Sequence, residues 1–287
     1  MGSPLRKWKK YMNTDLKIAF IGAGHLAESI IHALVDKLGV NGQNITIFDI
    51  NEEQYKKYVK LNVRTAHKYY EILDSGDIIF LMVLPQNFAV CLPEIKNCNM
   101  VLTKKIFVST AAGITTEYIE SEIGQKVAVI RTMPNTPISL GKGMTALCHN
   151  SNTSDKSFKT ICDIFAALGE NIILPEDKMN AIISVNGSSP AYVYLFAEAM
   201  LKGAIAQGFT EDEIYPAVLQ SLIGSFEMLK NSGKSPGELI KSVAVPGGTT
   251  EKALDSFYSD NFAETVKKAM LACTKRADEL TKEYCGD

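Results

Sequence analysis

The chain has 287 residues, 46% of them hydrophobic and 22% charged, with 30 Lys and Arg against 32 Asp and Glu for a formal net charge of -2. That composition is globular, long enough for one large or two ordinary domains, and it excludes disordered, collagen-like and miniprotein classes. Near-neutral charge gives no global attraction to nucleic acid or anionic membrane, and the longest apolar run, Ile78 to Leu84, is far short of the roughly 20 residues of a membrane-spanning helix.

Residues 1–14 carry Arg6, Lys7, Lys9 and Lys10 with no apolar stretch behind them, so they read as a basic tail and not as a secretory signal. Leu16 to Ile21 is a short apolar strand that stops at Gly22 and gives way to helix-period residues through Leu38. Ile45 to Phe48 is a second strand ending at Asp49, and Asn51 with Gln54 has the spacing of a capping box opening a helix. Asp77 to Leu84 is a third strand, apolar without a break from Ile78, as a parallel strand covered on both faces should be. Further strands are expected at Ile106 to Thr110, Val127 to Arg131 and Met144 to Cys148, with a helix at Thr115 to Ile123 among them. Alternating strand and helix predicts an α/β fold with a doubly wound parallel sheet.

The pattern changes after Ile172 to Leu174. From Lys178 onward no strand is evident, and helix starts recur at Ser189-Pro190, Thr210 with Glu213, Ser235-Pro236 with Glu238, and Asn261 with Glu264. Gly208 stands where the helix starting near Pro190 should end. The expected division is therefore 15–176 for a nucleotide-binding domain and 177–287 for an all-α domain.

Gly22-Ala23-Gly24-His25-Leu26-Ala27 has the form GxGxxA between a strand and a helix, the setting in which that string binds a dinucleotide. The first glycine permits the turn, the second lets a pyrophosphate approach the backbone, and the helix start offers N–H groups and positive dipole. Asp49, 27 residues after Gly22, ends the second strand where a carboxylate accepts from ribose hydroxyls and repels a 2′-phosphate. No arginine follows closely, so NADH is favoured over NADPH.

Two other stretches are unusual. Arg131 to Pro137 places Pro134 and Pro137 after a strand and is expected as a stiff loop leaving the carboxyl edge of the sheet. Pro246-Gly247-Gly248-Thr249-Thr250 exposes backbone amides where a helix begins, a nest suited to a carboxylate. Taken with IGAGHLA, VSTAAGIT from Val108, VIRTMPNTP from Val129 and NGSSPAYVYLFAEAM from Asn186, this loop resembles pyrroline-5-carboxylate reductase, in order from about Lys17 to Leu280.

The resemblance implies a Rossmann-type domain, a helical dimerisation domain, and hydride transfer from NADH or NADPH to 1-pyrroline-5-carboxylate, giving L-proline in the last step of proline biosynthesis. It further implies that Gly22, Ala23, Gly24, His25, Leu26 and Asp49 hold the cofactor. The nicotinamide would lie against Val83, Leu84 and Pro85 and against Ala111, Ala112 and Gly113. The substrate carboxylate would meet the Gly247-Gly248-Thr249 backbone and Thr250, whose hydroxyl would reach the ring nitrogen, and Glu176 would lie nearby. Thr250 and Glu176 are thus the expected catalytic pair, with no metal and no essential histidine among His25, His32, His67 and His149.

Three departures stand out: Leu84 where the family has lysine, Ala244-Val245 where it is serine-rich, and Asn186 where it commonly has serine. They keep open a same-fold reductase of another cyclic imine and a non-catalytic nucleotide-binding homologue. A beta-hydroxyacid dehydrogenase is disfavoured, because Pro190 to Leu201 lacks the lysine such an enzyme needs. Apolar residues on more than one face of the helical half, such as Leu219, Ile223 and Phe226, predict a homodimer or larger ring. Six cysteines without a paired motif predict reduced thiols and a cytoplasmic protein.

Overall fold

A computed structural model describes residues 16–286, so the basic tail lies outside the described residues. By packing, the described residues form two units: 16–188 together with 273–286, and Ser189–Ala272. The expected boundary after residue 176 follows the change from strands to helices, whereas packing places the division at Ser188 and returns the C-terminal stretch to the first unit.

The first unit holds strands β1 (Ile18–Ile21), β2 (Ile45–Phe48), β3 (Arg64–Thr65), β4 (Ile78–Leu81), β5 (Ile106–Ser109), β6 (Ala128–Pro134), β7 (Gly143–His149) and β8 (Gly169–Ile173). They form one sheet in the order β3-β2-β1-β4-β5-β6-β7-β8. Its first six positions have the order of a dinucleotide-binding sheet, with the reversal of direction between β1 and β4. Helices α1 (His25–His32) and α5 (Asp155–Ala166) cover the face carrying Ile18, Phe20 and Phe80. Helices α2 (Tyr69–Ser75), α3 (Phe88–Asn97) and α4 (Thr116–Ile123) cover the face carrying Ala19, Ile21 and Ile79. Successive residues of each strand point to opposite faces, so strands buried on both sides are mostly apolar, with buried polar residues such as Arg131 and Thr132 on β6 finding hydrogen-bond partners.

Two expectations are corrected. The sheet is not wholly parallel, because β6 and β7 pair antiparallel. Residues 135–142 are the only link between these strands, too short for the dozen or more residues that a parallel crossover needs. The stretch Arg131 to Pro134 is also strand and not loop: β6 runs to Pro134, paired with Thr145, and only Thr136–Leu140 forms a 3-10 turn. In addition, the helix expected after Asn51 is a 3-10 helix, Glu52–Leu61, and Asn51 caps it by accepting from Glu53 N, not through Gln54.

The second unit is helical: α6 (Ser189–Ile205), α7 (Glu211–Asn231), α8 (Pro236–Val243), α9 (Thr249–Ser259) and the start of α10 (Phe262–Cys285). Thr210 with Glu213 and Ser235 with Glu238 form the expected capping boxes. Gly208, at φ 97°, takes the left-handed conformation after α6. Among the described residues no helix is long and apolar enough to cross a membrane.

Candidate functional site

The carboxyl ends of β1, β4 and β5 lie side by side, with Ile21 opposite Leu81 and Leu81 opposite Ser109. The segments that leave them are therefore the glycine turn, Val83-Leu84-Pro85 and Ala111-Ala112-Gly113, three of the groups singled out from sequence. Gly22 sits at φ 99°, and a Cβ there would lie 2.6 Å from the Met82 carbonyl oxygen. A Gly22→Ala variant is expected to lose about 2–4 kcal/mol of stability through the left-handed backbone and this clash, read from urea unfolding. An unshifted midpoint would contradict it.

Gly24 has the opposite surroundings. It caps α1 with no side-chain hydrogen bond, and nothing lies within 4 Å of where its Cβ would be. Open space above a bare helix start is what a close-approaching phosphate needs, since the first N–H groups of a helix have no internal partners. Tyr58 supports the turn from beneath, its buried hydroxyl donating to the Ala23 carbonyl at 2.8 Å. Burial pushes that phenol well above its ordinary range. Asp49 reaches across the turn: Oδ2 accepts from Ala23 N at 2.7 Å and Oδ1 from Asn51 N at 2.8 Å. The carboxylate is thereby fixed at the end of β2.

The β4 and β5 ends are apolar. Leu84 is 61% exposed and precedes the 3-10 turn Pro85–Asn87, while Ala111 and Gly113 are buried. Ala111 N donates to Ser109 Oγ at 3.2 Å and Thr132 Oγ1 to Ser109 O at 3.0 Å, which ties the loop to β6.

Glu176 is engaged by two other segments of the first unit. Its Oε1 accepts from Thr116 N at 2.7 Å and its Oε2 from Thr116 Oγ1 at 2.5 Å, at the start of α4. The same carboxylate lies 3.7 Å from Arg131 Nη1, whose side chain is 1% exposed against 32% for Glu176. Burial pulls the Arg131 guanidinium below its ordinary range, and the Glu176 charge opposes that pull. A carboxylate engaged by a helix start and a buried cation holds the fold together at this point. Glu176→Ala, which strands a buried guanidinium, is expected to cost about 3 kcal/mol. Glu176→Gln, still an acceptor for Thr116, should cost less, and equal midpoints for both variants and the parent would remove the pairing from the stability of the fold.

In the helical unit, the PGGTT loop keeps fewer donors than its sequence suggests. Gly247, at φ 77°, donates its N–H to Glu251 Oε2 at 2.8 Å, and Gly248 N donates to Val245 O at 3.0 Å. Both amides are thus engaged inside the loop. Gly248 caps α9 without a side-chain bond. Helix geometry leaves the N–H groups of Thr249 and Thr250 without intrahelical partners, with the Thr250 hydroxyl on the same turn.

Asn186 is explained by structure: it is buried, and its Nδ2 donates to Met133 O at 2.7 Å and Met144 O at 3.2 Å, clamping β6 to β7. A groove of about 800 Å³ beside α1 brings His25 and Leu26 together with Pro134, Asn135 and Gly187, an association that sequence reasoning missed; its lining includes neither Val83 to Pro85 nor Ala111 to Gly113. Its only advance signal was the proline pair of MPNTP. His32, His67 and His149 all have exposed side-chain contacts, to Asp36, Glu52 and the Asn150 carbonyl respectively. Among the described residues no cluster of three His, Cys, Asp or Glu could hold a metal.

Comparison with known proteins places both units. Residues 176–280 match the family model described as pyrroline-5-carboxylate reductase dimerisation, and residues 17–113 match NADP oxidoreductase coenzyme F420-dependent. The chain is 35% identical to the pyrroline-5-carboxylate reductase of Haemophilus influenzae over 92% of its own length and 97% of the relative. Against that of Escherichia coli it is 31% identical over 93% of its length and 99% of the relative. Among solved structures, a Coxiella burnetii pyrroline-5-carboxylate reductase superposes with TM-score 0.83 at 30% identity, covering 94% of this chain and all of that one. A Plasmodium falciparum pyrroline carboxylate reductase with NADP bound superposes with TM-score 0.86 at 26% identity, over 94% of this chain and 100% of that one.

Proposed function

The chain belongs to the pyrroline-5-carboxylate reductase family, and from that premise we propose that it reduces 1-pyrroline-5-carboxylate to L-proline with a nicotinamide cofactor, completing proline biosynthesis. The observation that carries this reading is coverage: similarity to a reductase of this name extends over 92% of the chain, and the two matched family models take in the glycine turn and the PGGTT loop. The open space over Gly24 and the bare start of α1 fit a pyrophosphate, so the residues present suit the cofactor.

When bound, the nicotinamide supplies the hydride for the C=N carbon. The chain's own residues hold and orient. His25 and Leu26 amides take the pyrophosphate, Asp49 the ribose hydroxyls, and the methyl and glycine surfaces of Val83 to Pro85 and Ala111 to Gly113 the flat ring. The Thr249 and Thr250 amides bind the substrate carboxylate, and the Thr250 hydroxyl meets the ring nitrogen, which solvent can protonate. Orientation of two ligands is the main contribution such a site makes.

NADH is the favoured cofactor. Asp49 is pinned where a 2′-phosphate would lie, and the neighbouring lysines are already paired, Lys56 with Glu53 and Lys57 with Glu28. Leu84 adds no cation. The NADP carried by the Plasmodium falciparum relative makes the comparison of cofactors informative. Purified protein given 1-pyrroline-5-carboxylate should consume reduced nicotinamide and form proline. Nucleotide binding without turnover on this or related cyclic imines would instead make it a non-catalytic homologue.

Self-association belongs to the same reading. On α7, Tyr215, Leu219, Ile223 and Phe226 fall on one stripe and are 48%, 37%, 55% and 48% exposed. An apolar stripe of this size on a helix calls for a partner surface, and the matched model is one of dimerisation. Light scattering is expected to give at least twice the 31.5 kDa of one chain; a monomer would contradict it. All six cysteines are free, which supports a reducing, cytoplasmic location, and fractionation of the tagged protein tests it.

A further inference from the structure

Ala111, Ala112 and Gly113, where the nicotinamide is placed, carry only small side chains, so the position of the loop Thr110 to Thr116 is set by whatever packs behind it. One stretch does so at both ends. Gly113, at φ 77°, lies so close to α10 that a Cβ would stand 2.9 Å from Leu280 Cβ, 3.1 Å from Thr281 N and 3.3 Å from the Ala277 carbonyl oxygen. Cys285 Sγ also donates to the Gly113 carbonyl at 3.5 Å. At the other end, Thr116 is held by Glu176, and Glu176 faces Arg131. Arg131 Nη2 donates to Asn180 Oδ1 at 2.6 Å, and Asn180 Nδ2 donates to Asp278 Oδ1 at 2.9 Å and Thr281 Oγ1 at 3.0 Å. Residues 277–285 thus grip the loop directly at Gly113 and, through three side chains, at Thr116.

We propose that the C-terminal turns of α10 are the positioning element for the nicotinamide loop, with Asp278 and Thr281 acting through Asn180, Arg131 and Glu176. This rests on the reading that Ala111 to Gly113 carries the ring. The adenine and pyrophosphate contacts lie on β1 and β2, outside this network, so only the nicotinamide half should respond. A displacement of about 1 Å far from the chemistry can cost up to roughly 100-fold in rate.

The test uses the full chain with Asp278→Ala/Thr281→Val, which removes both acceptors of Asn180, and Thr281→Val alone as a milder variant should the double one fold poorly. NADH affinity is read by its fluorescence, ADP-ribose affinity by calorimetry, and hydride transfer by single turnover. Expected are a weakening of NADH and a slowing of transfer, each by about tenfold for the double variant, unchanged ADP-ribose affinity, and recovery in Asp278→Asn, which keeps the acceptor. Equal weakening of NADH and ADP-ribose, or no change in either, overturns the proposal. Ala112→Val separates the causes. If it shifts NADH against ADP-ribose while the α10 variants do not, only the role of α10 fails; if it shifts nothing, the placement of the nicotinamide fails as well.

Discussion

Thr250→Ala is expected to lower kcat/KM by about 10²- to 10³-fold, the usual loss when one donor aimed at a reacting group is removed, while NADH affinity stays at the parent value. The PGGTT loop concentrates this effect on one side chain. Gly247 and Gly248 donate their amides to Glu251 and Val245, so the proposed substrate contact is assigned to the first turn of α9. There the amides of Thr249 and Thr250 survive any side-chain change, and only the hydroxyl is lost in alanine. Thr250→Ser should therefore recover most of the activity. Turnover unchanged in Thr250→Ala would move the substrate away from this loop altogether.

The second large effect concerns the cofactor. NADH is expected to exceed NADPH in kcat/KM by about 100-fold, and Asp49→Ser to reduce that ratio by at least tenfold. At an effective dielectric of about 40 and a separation of about 5 Å, two like unit charges repel by about 1.7 kcal/mol. A phosphate of charge about -1.5 to -2 then loses about 3 kcal/mol beside the carboxylate, which is roughly two powers of ten. Asp49 cannot swing away without giving up its bonds from Ala23 N and Asn51 N. Steady-state kinetics with both cofactors on parent and variant decide the matter, and a parent that prefers NADPH would refute the argument from Asp49.

Much of this molecule is written locally. The glycine turn is legible because Gly22 must take positive φ against the Met82 carbonyl and Gly24 must leave space, demands that few other residues meet. The capping boxes at Thr210 and Ser235 are legible because donor and acceptor lie three residues apart. Strand runs such as Ile78–Leu81 are legible because burial on both faces favours apolar residues at every position.

What escaped the sequence joins residues that are far apart along it. Glu176 accepts from Thr116, 60 positions away, with the buried Arg131 beside it, a pairing that no local pattern marks. No local pattern marks Asn180 as the partner of Thr281, at a separation of 101, or brings the end of α10 back against Gly113. The extension of β6 through Arg131 to Pro134 is hidden because Pro134 and Pro137 together imitate a loop, and only the pairing of Pro134 with Thr145 of β7 makes it a strand end. The sequence by itself determined the element types, the nucleotide turn and the family, since these depend on periodicity, caps and backbone-restricted residues. The tertiary structure decided which polar groups are already engaged, because a hydrogen bond or ion pair between distant segments exists only once the sheet and its helices have brought them together.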